Sequence, residues 1–260
     1  MSFNSVLLYY FLENVLKKIS KSKYNKKFIF KGGFLLSNVL GIDPRSTMDI
    51  DYLYNNLLVS EEQVARMLRE SLITNDDDEI LYEITDIMPI KTGELYGGYR
   101  VRILCKFDNL RQVVPLDIAS GDIITPHPIM YSFHSLFEDE EILIKAYPME
   151  SMLAEKLQTI YAKGFLNSRS KDFYDLYLLY RLKSKEMVIQ TLIHACERTF
   201  HHRETEFDVK KIQDLLQKLK HDDTFINRWK AYAMKNTYVQ GIEFDEVIVA
   251  IIKLTNLLKV

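Results

Sequence analysis

The chain has 260 residues, of which 47% are apolar and 27% are charged. This length fits one large domain or two ordinary ones, with ample apolar residues for a packed core. The net charge of −2 and a sequence pI of about 6.3 argue against a protein that coats nucleic acid through bulk charge, since such proteins carry a basic excess. A local basic patch stays compatible with these totals.

Cysteine spacing and hydropathy argue against several further classes. Cys105 and Cys196 lie far apart without the spacing of a zinc site, so we interpret both as core thiols rather than disulfide partners. The apolar run Val6–Leu12 is interrupted by Glu13, which predicts an amphipathic first helix rather than a signal peptide. No stretch approaches the length of apolar sequence that spans a membrane. We therefore expect a cytoplasmic protein with no membrane partner.

After this first helix, a strand is predicted at Lys27–Phe30, followed by a Gly32-Gly33 turn and a second helix. Glycines at such a turn let a ligand approach the backbone, because no side chain is in the way. The amides at the helix N-terminus also attract anions. Gly32 and Gly33 are therefore candidate phosphate-binding residues, although a Gly-Gly pair alone often marks only a turn.

The next predicted strand, Met48–Leu53, carries two carboxylates, Asp49 and Asp51. Residues two apart on a strand point to the same face, so both side chains can hold metal ions. Carboxylates are hard oxygen ligands, and a rigid strand suits two ions roughly 3.5–4 Å apart. Together with the glycine turn, this pattern predicts a metal-dependent site for a nucleoside triphosphate.

Further strand signals follow a helix start at Ser60–Gln63, which has the sequence of a capping box. β-Branched and aromatic residues predict strands at Glu79–Asp86, Tyr99–Phe107 and Gln112–Ala119. A short turn at Asp108-Asn109 joins the last two. We therefore expect an antiparallel hairpin at this point of the chain.

Asp117 in the last of these strands alternates with apolar neighbours, so its side chain points away from the core face. We expect it to meet Asp49 and Asp51 across the sheet and to complete the metal site. A third carboxylate there could also orient the attacking hydroxyl or accept its proton. Pro115 lacks an N–H for the ladder and predicts that this strand lies near an edge or a bulge.

The second half of the chain is predicted to be helical, since all six prolines lie at or before Pro148 and few glycines follow. Apolar residues recur there at spacings of three and four, as in a helical bundle that begins between Glu138 and Ser151. The expected fold class is α+β. A mixed, mostly antiparallel sheet with flanking helices would form a core domain at residues 1–140, and a helical bundle domain at residues 141–260 would complete the active-site cleft.

Several polar residues have both a functional and a structural interpretation. Lys156 lies on a largely apolar helix, either as an edge residue whose amine reaches solvent or as a phosphate ligand. Asp172 lies near a helix start, where the helix dipole stabilises an acid whatever its function, and Asp175 follows at i+3 on the same face. Arg45 could contact phosphate through its planar guanidinium or lie in a surface loop.

Four separated segments carry a resemblance to a known family. They are Phe30–Gly33, Arg45–Asp51, Leu153–Lys156 and Lys171–Asp175. In these motifs and in their order the chain resembles the AbiEii/AbiGii toxin family of nucleotidyltransferases, over about the first two thirds of its length. The resemblance implies a polymerase-β-like nucleotidyltransferase core followed by a helical domain.

The resemblance also implies an activity and its partners. The protein would be the toxin of a bacterial toxin-antitoxin or abortive-infection pair, and would transfer a nucleoside monophosphate from an NTP to an acceptor hydroxyl. RNA such as a tRNA 3′ end is the implied acceptor, and two Mg²⁺ ions, with Mn²⁺ as an alternative, are the implied cofactors. A cognate antitoxin would neutralise the protein with or without a lasting complex.

Site residues follow by position. The catalytic and metal-binding residues are taken from the resemblance, except Asp117, which is taken from the alternation in its strand. The nucleotide-binding residues are taken from the family motifs. The catalytic candidates are Asp49, Asp51, Asp117, Lys156 and Asp172; the metal ligands are Asp49, Asp51 and Asp117; the nucleotide-binding candidates are Lys31, Gly32, Gly33, Arg45, Lys156 and Asp175.

Two departures from the family pattern stand beside these assignments. Phe34 follows the glycines where a small polar residue such as Thr is more usual, which removes a side-chain hydroxyl from the phosphate site. Tyr52 replaces a more usual aliphatic residue and is expected to pack in the core. Two other classes remain open: a catalytically silent nucleotide- or partner-binding module, and a two-metal phosphohydrolase or nuclease. The Gly-Gly turn before the Asp-x-Asp strand favours transfer.

Overall fold

The computed structural model describes residues 3–41, 49–55, 58–73, 79–90 and 97–259. The strands are β1 Phe28–Lys31, β2 Ile50–Tyr54, β3 Leu81–Ile90, β4 Gly98–Phe107, β5 Leu110–Ala119, β6 Ile129–His134 and β7 Glu141–Ala146. The α-helices are α1 Phe3–Lys21, α2 Gly32–Leu40, α3 Glu61–Ser71, α4 Met149–Lys163, α5 Ser170–Lys183, α6 Ile189–His202, α7 Val209–Lys220, α8 Asp223–Lys235 and α9 Phe244–Asn256. Short 3₁₀ turns lie at Gly164–Leu166 and Thr237–Val239. Of the helices in these ranges, none combines the length and the apolar composition that crossing a membrane requires.

The seven strands in the described ranges form one sheet in the order β3-β4-β5-β2-β1-β7-β6. The pairs β2·β5 and β1·β7 are parallel, and the other neighbouring strands are antiparallel. The predicted α+β class with a mixed, mostly antiparallel sheet is therefore confirmed. The β4–β5 hairpin around Asp108 and Asn109 is also confirmed, as is the capping box, in which Ser60 and Gln63 each bond the other's backbone amide.

Contacts divide the chain into two compact units. The sheet unit comprises residues 1–122 and 128–147, and the helical unit comprises residues 123–127 and 148–260. In the sheet unit, α1 packs on β5 and β7, α2 on β1, β2 and β6, and α3 on β3. In the helical unit, α4 packs on α5 and α6, and α9 packs on α5 and α7.

Strands β6 and β7 are not among the strands predicted from the sequence. In β7, Ile142 and Ile144 are buried while Glu141 and Leu143 are exposed, which is the alternation of a strand with one covered face. The domain boundary predicted from the sequence, between residues 140 and 141, assigns β7 to the helical domain. In the structure, β7 pairs with β1 and β6 in the sheet. The division of the chain into two domains with separate roles stays a prediction.

The expectation that the strand with Pro115 lies near an edge or a bulge is met only in part, because β5 has no bulge but is paired on one side alone at this residue. Strand β5 lies inside the sheet, between β4 and β2, and its pairing with β4 runs without a break from Leu110 to Ala119. Pairing with β2 begins only at Leu116, which lies opposite Ile50. Because β2 has no residue paired with Pro115, this proline lies at a local edge of β5, where its missing N–H is tolerated.

An aromatic cluster fills the core between α2 and the sheet. The ring of Phe30 lies 5.9 Å from that of Phe34, 5.8 Å from Tyr52 and 6.0 Å from Phe133. All four side chains are almost fully buried, and burying a ring of this size stabilises the fold by about 1.5–3 kcal/mol. The cluster packs α2 against β1 and β2 near the glycine turn. The expectation that Tyr52 packs in the core is confirmed.

The two cysteines and the tryptophan are also core residues. Cys105 and Cys196 are both fully buried, and burial raises the pKa of each thiol to about 12, so neither is a reactive thiolate. Trp229 is buried in the helical unit, where its indole N–H donates to the carbonyl oxygen of Ile242 at 2.7 Å. These contacts confirm the expectation of core thiols and place Trp229 in the helical core.

The hydroxyl of Tyr52 is buried with no hydrogen-bond partner among the described residues, and burial raises its pKa. A buried polar group without a partner costs about 1–3 kcal/mol, so we expect Tyr52→Phe to raise the free energy of unfolding by about 1 kcal/mol. The matched change Tyr131→Phe removes a hydroxyl that donates to Asn38 Oδ1 at 2.8 Å, and we expect it to lower stability instead. Urea unfolding of both variants checks the signs, and a loss of stability in Tyr52→Phe would contradict the prediction.

Candidate active site

Four charged side chains form a row across four adjacent strands of the sheet unit. At its centre, Asp51 on β2 is the register partner of Asp117 on β5. Arg100 on β4 pairs with Asp117 from the other side. Lys31 on β1 pairs with Asp51. Register partners present their side chains on the same face, so the row runs cation, carboxylate, carboxylate, cation.

Asp49 joins the two central carboxylates of this row. One carboxylate oxygen from each of Asp49, Asp51 and Asp117 lies within 4.8 Å of the others, and all three side chains are half-buried. Asp51 and Asp117 lie on the adjacent strands β2 and β5, and Asp49 directly precedes β2 rather than lying within it as predicted. Three such hard oxygen donors suit Mg²⁺ or Mn²⁺ in number and in chemistry. The expected convergence of these residues is thus observed, and their roles in binding metal and in catalysis stay a prediction.

Gly32 packs directly against Asp51. Its φ of +79° lies in the region that side-chain-bearing residues rarely adopt, and a Cβ at this position would lie 1.9 Å from Asp51 Oδ2. Only glycine therefore fits at position 32 without moving this carboxylate. The turn and the acidic cluster are in contact, as the sequence pattern predicted for a site that holds both metal and phosphate.

Helix α2 begins at this turn. Its N-cap residue, Lys31, makes no side-chain cap hydrogen bond to the first amides of the helix. The positive end of the helix dipole lies there too, which favours an anion. Phe34 is buried in the aromatic cluster and provides no hydroxyl. Contacts from α2 to a phosphate would therefore come from backbone amides.

Arg100 is a site residue that the sequence analysis missed. Its Nε donates to Asp117 Oδ1 at 2.7 Å and its Nη2 donates to Asp117 Oδ2 at 2.6 Å, a two-point contact. Hydrogen bonding to Asp117, the charge of that residue and the charges of Asp49 and Asp51 raise the pKa of Arg100. The signal was present in the sequence, because a hairpin turn at Asp108-Asn109 places Arg100 opposite Asp117.

Two predicted nucleotide-binding residues have different outcomes. Lys31 Nζ lies 2.9 Å from Asp122 Oδ2 and 3.3 Å from the hydroxyl of Tyr147, and it also lies 4.6 Å from the centre of the Tyr147 ring. These contacts hold the ammonium at the edge of the charged row. Arg45 lies outside the described residues. Phosphate binding by either residue stays a prediction.

The helical unit holds a second charged cluster. Lys156 Nζ lies 2.5 Å from Asp175 Oδ2 and 3.3 Å from Asp172 Oδ1, and the two aspartate side chains are only 7% and 5% exposed. Burial alone would lower the pKa of Lys156, but the charges of Asp175 and Asp172 outweigh burial and raise it. Arg169 Nε lies 3.1 Å from Asp172 Oδ2, although that oxygen has no aligned hydrogen-bond donor in the part of the chain that the structure describes.

This cluster confirms that Asp172 and Asp175 share one face of α5, since both meet the same ammonium. The amine of Lys156 turns toward these carboxylates instead of extending into solvent. The structure thus brings the predicted residues together in two sets, one in each unit. Contact between Lys156 and a triphosphate, and the catalytic part of Asp172, stay predictions.

Comparisons with known proteins agree with this architecture. The family model described as "Nucleotidyl transferase AbiEii toxin, Type IV TA system" matches residues 14–249. A crystal structure of a candidate nucleotidyltransferase from H. pylori is similar, with a TM-score of 0.56 and 14% identity over 99% of this chain and 96% of that one. JHP933 from Helicobacter pylori has a TM-score of 0.57 and 13% identity over 99% of this chain and 93% of its own. No curated protein matches the chain.

Replacement of Gly32 tests the contact between the turn and the acidic cluster. Gly32→Ala places a Cβ where Asp51 now lies, so we expect Mn²⁺ binding to weaken by about tenfold or more, as measured by electron paramagnetic resonance titration. Gly41→Ala is a matched control, because Gly41 also has a positive φ, +63°, and a Cβ there meets nothing within 4 Å. Equal effects of the two changes would show that backbone strain, and not the displacement of Asp51, is responsible.

Removal of the ammonium tests the second cluster. Lys156→Met leaves two buried carboxylates without their cation, so we expect a loss of about 3–5 kcal/mol in the free energy of unfolding at pH 7. Because the folded-state pKa of Lys156 is raised, its contribution is complete below the unfolded pKa of about 10.4 and is lost as pH rises through the folded pKa.

The matched control for this change is Lys163→Met on the same helix, where the side chain is exposed and a change within about 0.5 kcal/mol is expected. Denaturant unfolding of both variants and of the unmutated chain, from pH 7 to strongly alkaline pH, gives the comparison. A small loss in Lys156→Met at neutral pH, or a loss that grows with pH, would contradict the prediction.

Proposed function

The chain belongs to the AbiEii family of nucleotidyl transferase toxins of type IV toxin-antitoxin systems, and from this premise we propose that it is a metal-dependent enzyme that transfers a nucleoside monophosphate from an NTP to an acceptor hydroxyl. The observation that carries this proposal is the convergence of Asp49, Asp51 and Asp117 beside the glycine turn that opens α2. Carboxylates alone would suit any two-metal enzyme. Their contact with the glycine turn at the start of α2 favours a triphosphate substrate, because a helix N-terminus attracts anions.

The three carboxylates would hold two divalent cations, Mg²⁺ or Mn²⁺, and these ions would supply activation of an attacking hydroxyl and neutralisation of the departing pyrophosphate. Asp51 is held between its register partners, and its position is further limited by contact with Gly32. Asp117 is oriented by Arg100 and is the carboxylate that would orient the acceptor hydroxyl. The backbones of β2 and β5 would keep Asp51 and Asp117 in place before substrate binds, which is what an electrostatic site requires.

The triphosphate would lie against the start of α2. Gly32 and Gly33 have no side chains that would block a phosphate at this turn, and the helix dipole favours the negative charge. Lys31 and Arg45 are proposed as further phosphate contacts, and Lys156 as a contact to the triphosphate with Asp172 and Asp175 supporting it. In this proposal the backbone amides at the start of α2 bind the phosphate without help from a side-chain hydroxyl, since Phe34 provides none.

The acceptor and the partners follow from the family premise. We take RNA, such as a tRNA 3′ end, as the acceptor class, so that transfer would block translation. The cytoplasm holds both NTPs and tRNA and is the compartment that this reaction needs. A cognate antitoxin is the expected protein partner, acting with or without a lasting complex.

The test is incubation of the purified protein with Mg²⁺, each α-labelled NTP in turn and total tRNA. We expect label on tRNA with the unmutated chain and a loss of about a hundred- to thousandfold with Asp49→Asn or Asp51→Asn, because removing one preorganised electrostatic group costs about that much in rate. Asp86→Asn on β3 is the matched control and should retain activity.

Other outcomes identify the other function classes. Full activity in both the Asp49 and Asp51 variants would refute the proposed site. Release of free phosphate or of RNA fragments would indicate a phosphohydrolase or a nuclease. Binding of NTP with Mg²⁺ but without turnover on any RNA or protein acceptor would indicate a silent binding module.

A further inference from the structure

Arg100 engages both oxygens of Asp117, the carboxylate that faces Asp49 and Asp51. Two parallel N–H···O contacts fix the plane of a carboxylate as well as its position, which a single contact to a lysine would not. The orientation of Asp117 within the acidic cluster is therefore set from the neighbouring strand, β4.

The same contact works against a metal ion at this carboxylate. A guanidinium keeps its charge at any accessible pH, so a divalent ion on Asp117 would share its ligand with a permanent cation. Each carboxylate oxygen retains a second lone pair, and sharing is geometrically feasible. The two positive charges repel each other across the carboxylate, however, and this repulsion weakens both interactions.

We propose that Arg100 is a positioning residue that holds Asp117 in the acidic cluster and competes with the divalent ion for its carboxylate. The inference rests on the proposed function, because it takes the three carboxylates to be the metal site. The Arg100 side chain is 44% exposed and that of Asp117 is 15% exposed. The guanidinium can thus move toward solvent as the ion binds, while Asp117 stays in the site.

The experiment measures the Kd of Mn²⁺ for the full chain without nucleotide, by electron paramagnetic resonance of the free ion. We expect Arg100→Gln to bind Mn²⁺ about two- to fivefold more tightly than the unmutated chain, the range that loss of an exposed ion pair produces. Arg100→Lys keeps the charge but can bond only one carboxylate oxygen at a time, and we expect a smaller gain in affinity.

Arg102→Gln is the matched control, because Arg102 lies two residues along β4 on the same face and pairs with Pro115. It removes the same charge without touching Asp117, so we expect its Kd to equal that of the unmutated chain. Far-UV circular dichroism and a thermal melt confirm that each variant is folded. The readout is affinity for the ion itself and does not depend on any acceptor.

Three results would overturn the inference. An unchanged or higher Kd in Arg100→Gln would show that competition by the guanidinium does not outweigh the benefit of positioning Asp117. A gain in Arg102→Gln equal to that in Arg100→Gln would show a general effect of charge. If the unmutated chain binds Mn²⁺ no better than Asp51→Asn does, the metal site itself fails, and the proposed function fails with it. Binding that Asp51→Asn abolishes and Arg100→Gln leaves unchanged rejects the inference alone.

Discussion

The pairing of Asp51 with Asp117 is the constraint on which the rest of the sheet unit depends. Like charges directly opposite each other on neighbouring strands destabilise a sheet, so an acidic pair at one register position needs an electrostatic partner. The structure places a cation on each flanking strand, with Arg100 on β4 and Lys31 on β1. The two cations of the charged row therefore offset the repulsion between the two carboxylates, so the sheet can carry a cluster of acidic side chains of the kind that binds metal.

The backbone around this row is fixed from the opposite face of the sheet. Phe30 and Tyr52 alternate with the charged residues of β1 and β2 and pack in the aromatic cluster, which includes Phe34 from α2. This packing holds the strand ends that carry Asp51 and the turn at Gly32. A cost accompanies the arrangement, because the Tyr52 hydroxyl is buried without a partner among the described residues. Burial of these rings thus holds the site in place, and it leaves one hydroxyl without a hydrogen bond among the described residues.

The cluster in the helical unit follows different physics. The ammonium of Lys156 contacts two buried carboxylates, those of Asp172 and Asp175. A buried ion pair of this kind often contributes little net stability, because desolvation offsets the attraction between the charges. Removing one member is nevertheless costly, since it leaves the remaining charges buried and uncompensated. The contact also joins α4 to α5 within that unit.

Local rules were sufficient to place Asp49 and Asp51 on one side of the chain and to turn Asp117 away from the apolar face of its own strand, because the direction of a side chain follows from the backbone within a few residues. The same rules also predict the pairing of Arg100 with Asp117, since the turn at Asp108-Asn109 sets the register of the hairpin. Only the tertiary structure decided that β2 lies beside β5, that β7 joins the sheet and that Lys156 meets both aspartates of α5. Those contacts join residues far apart in the chain, and they depend on how the whole of each unit packs, which no local pattern encodes.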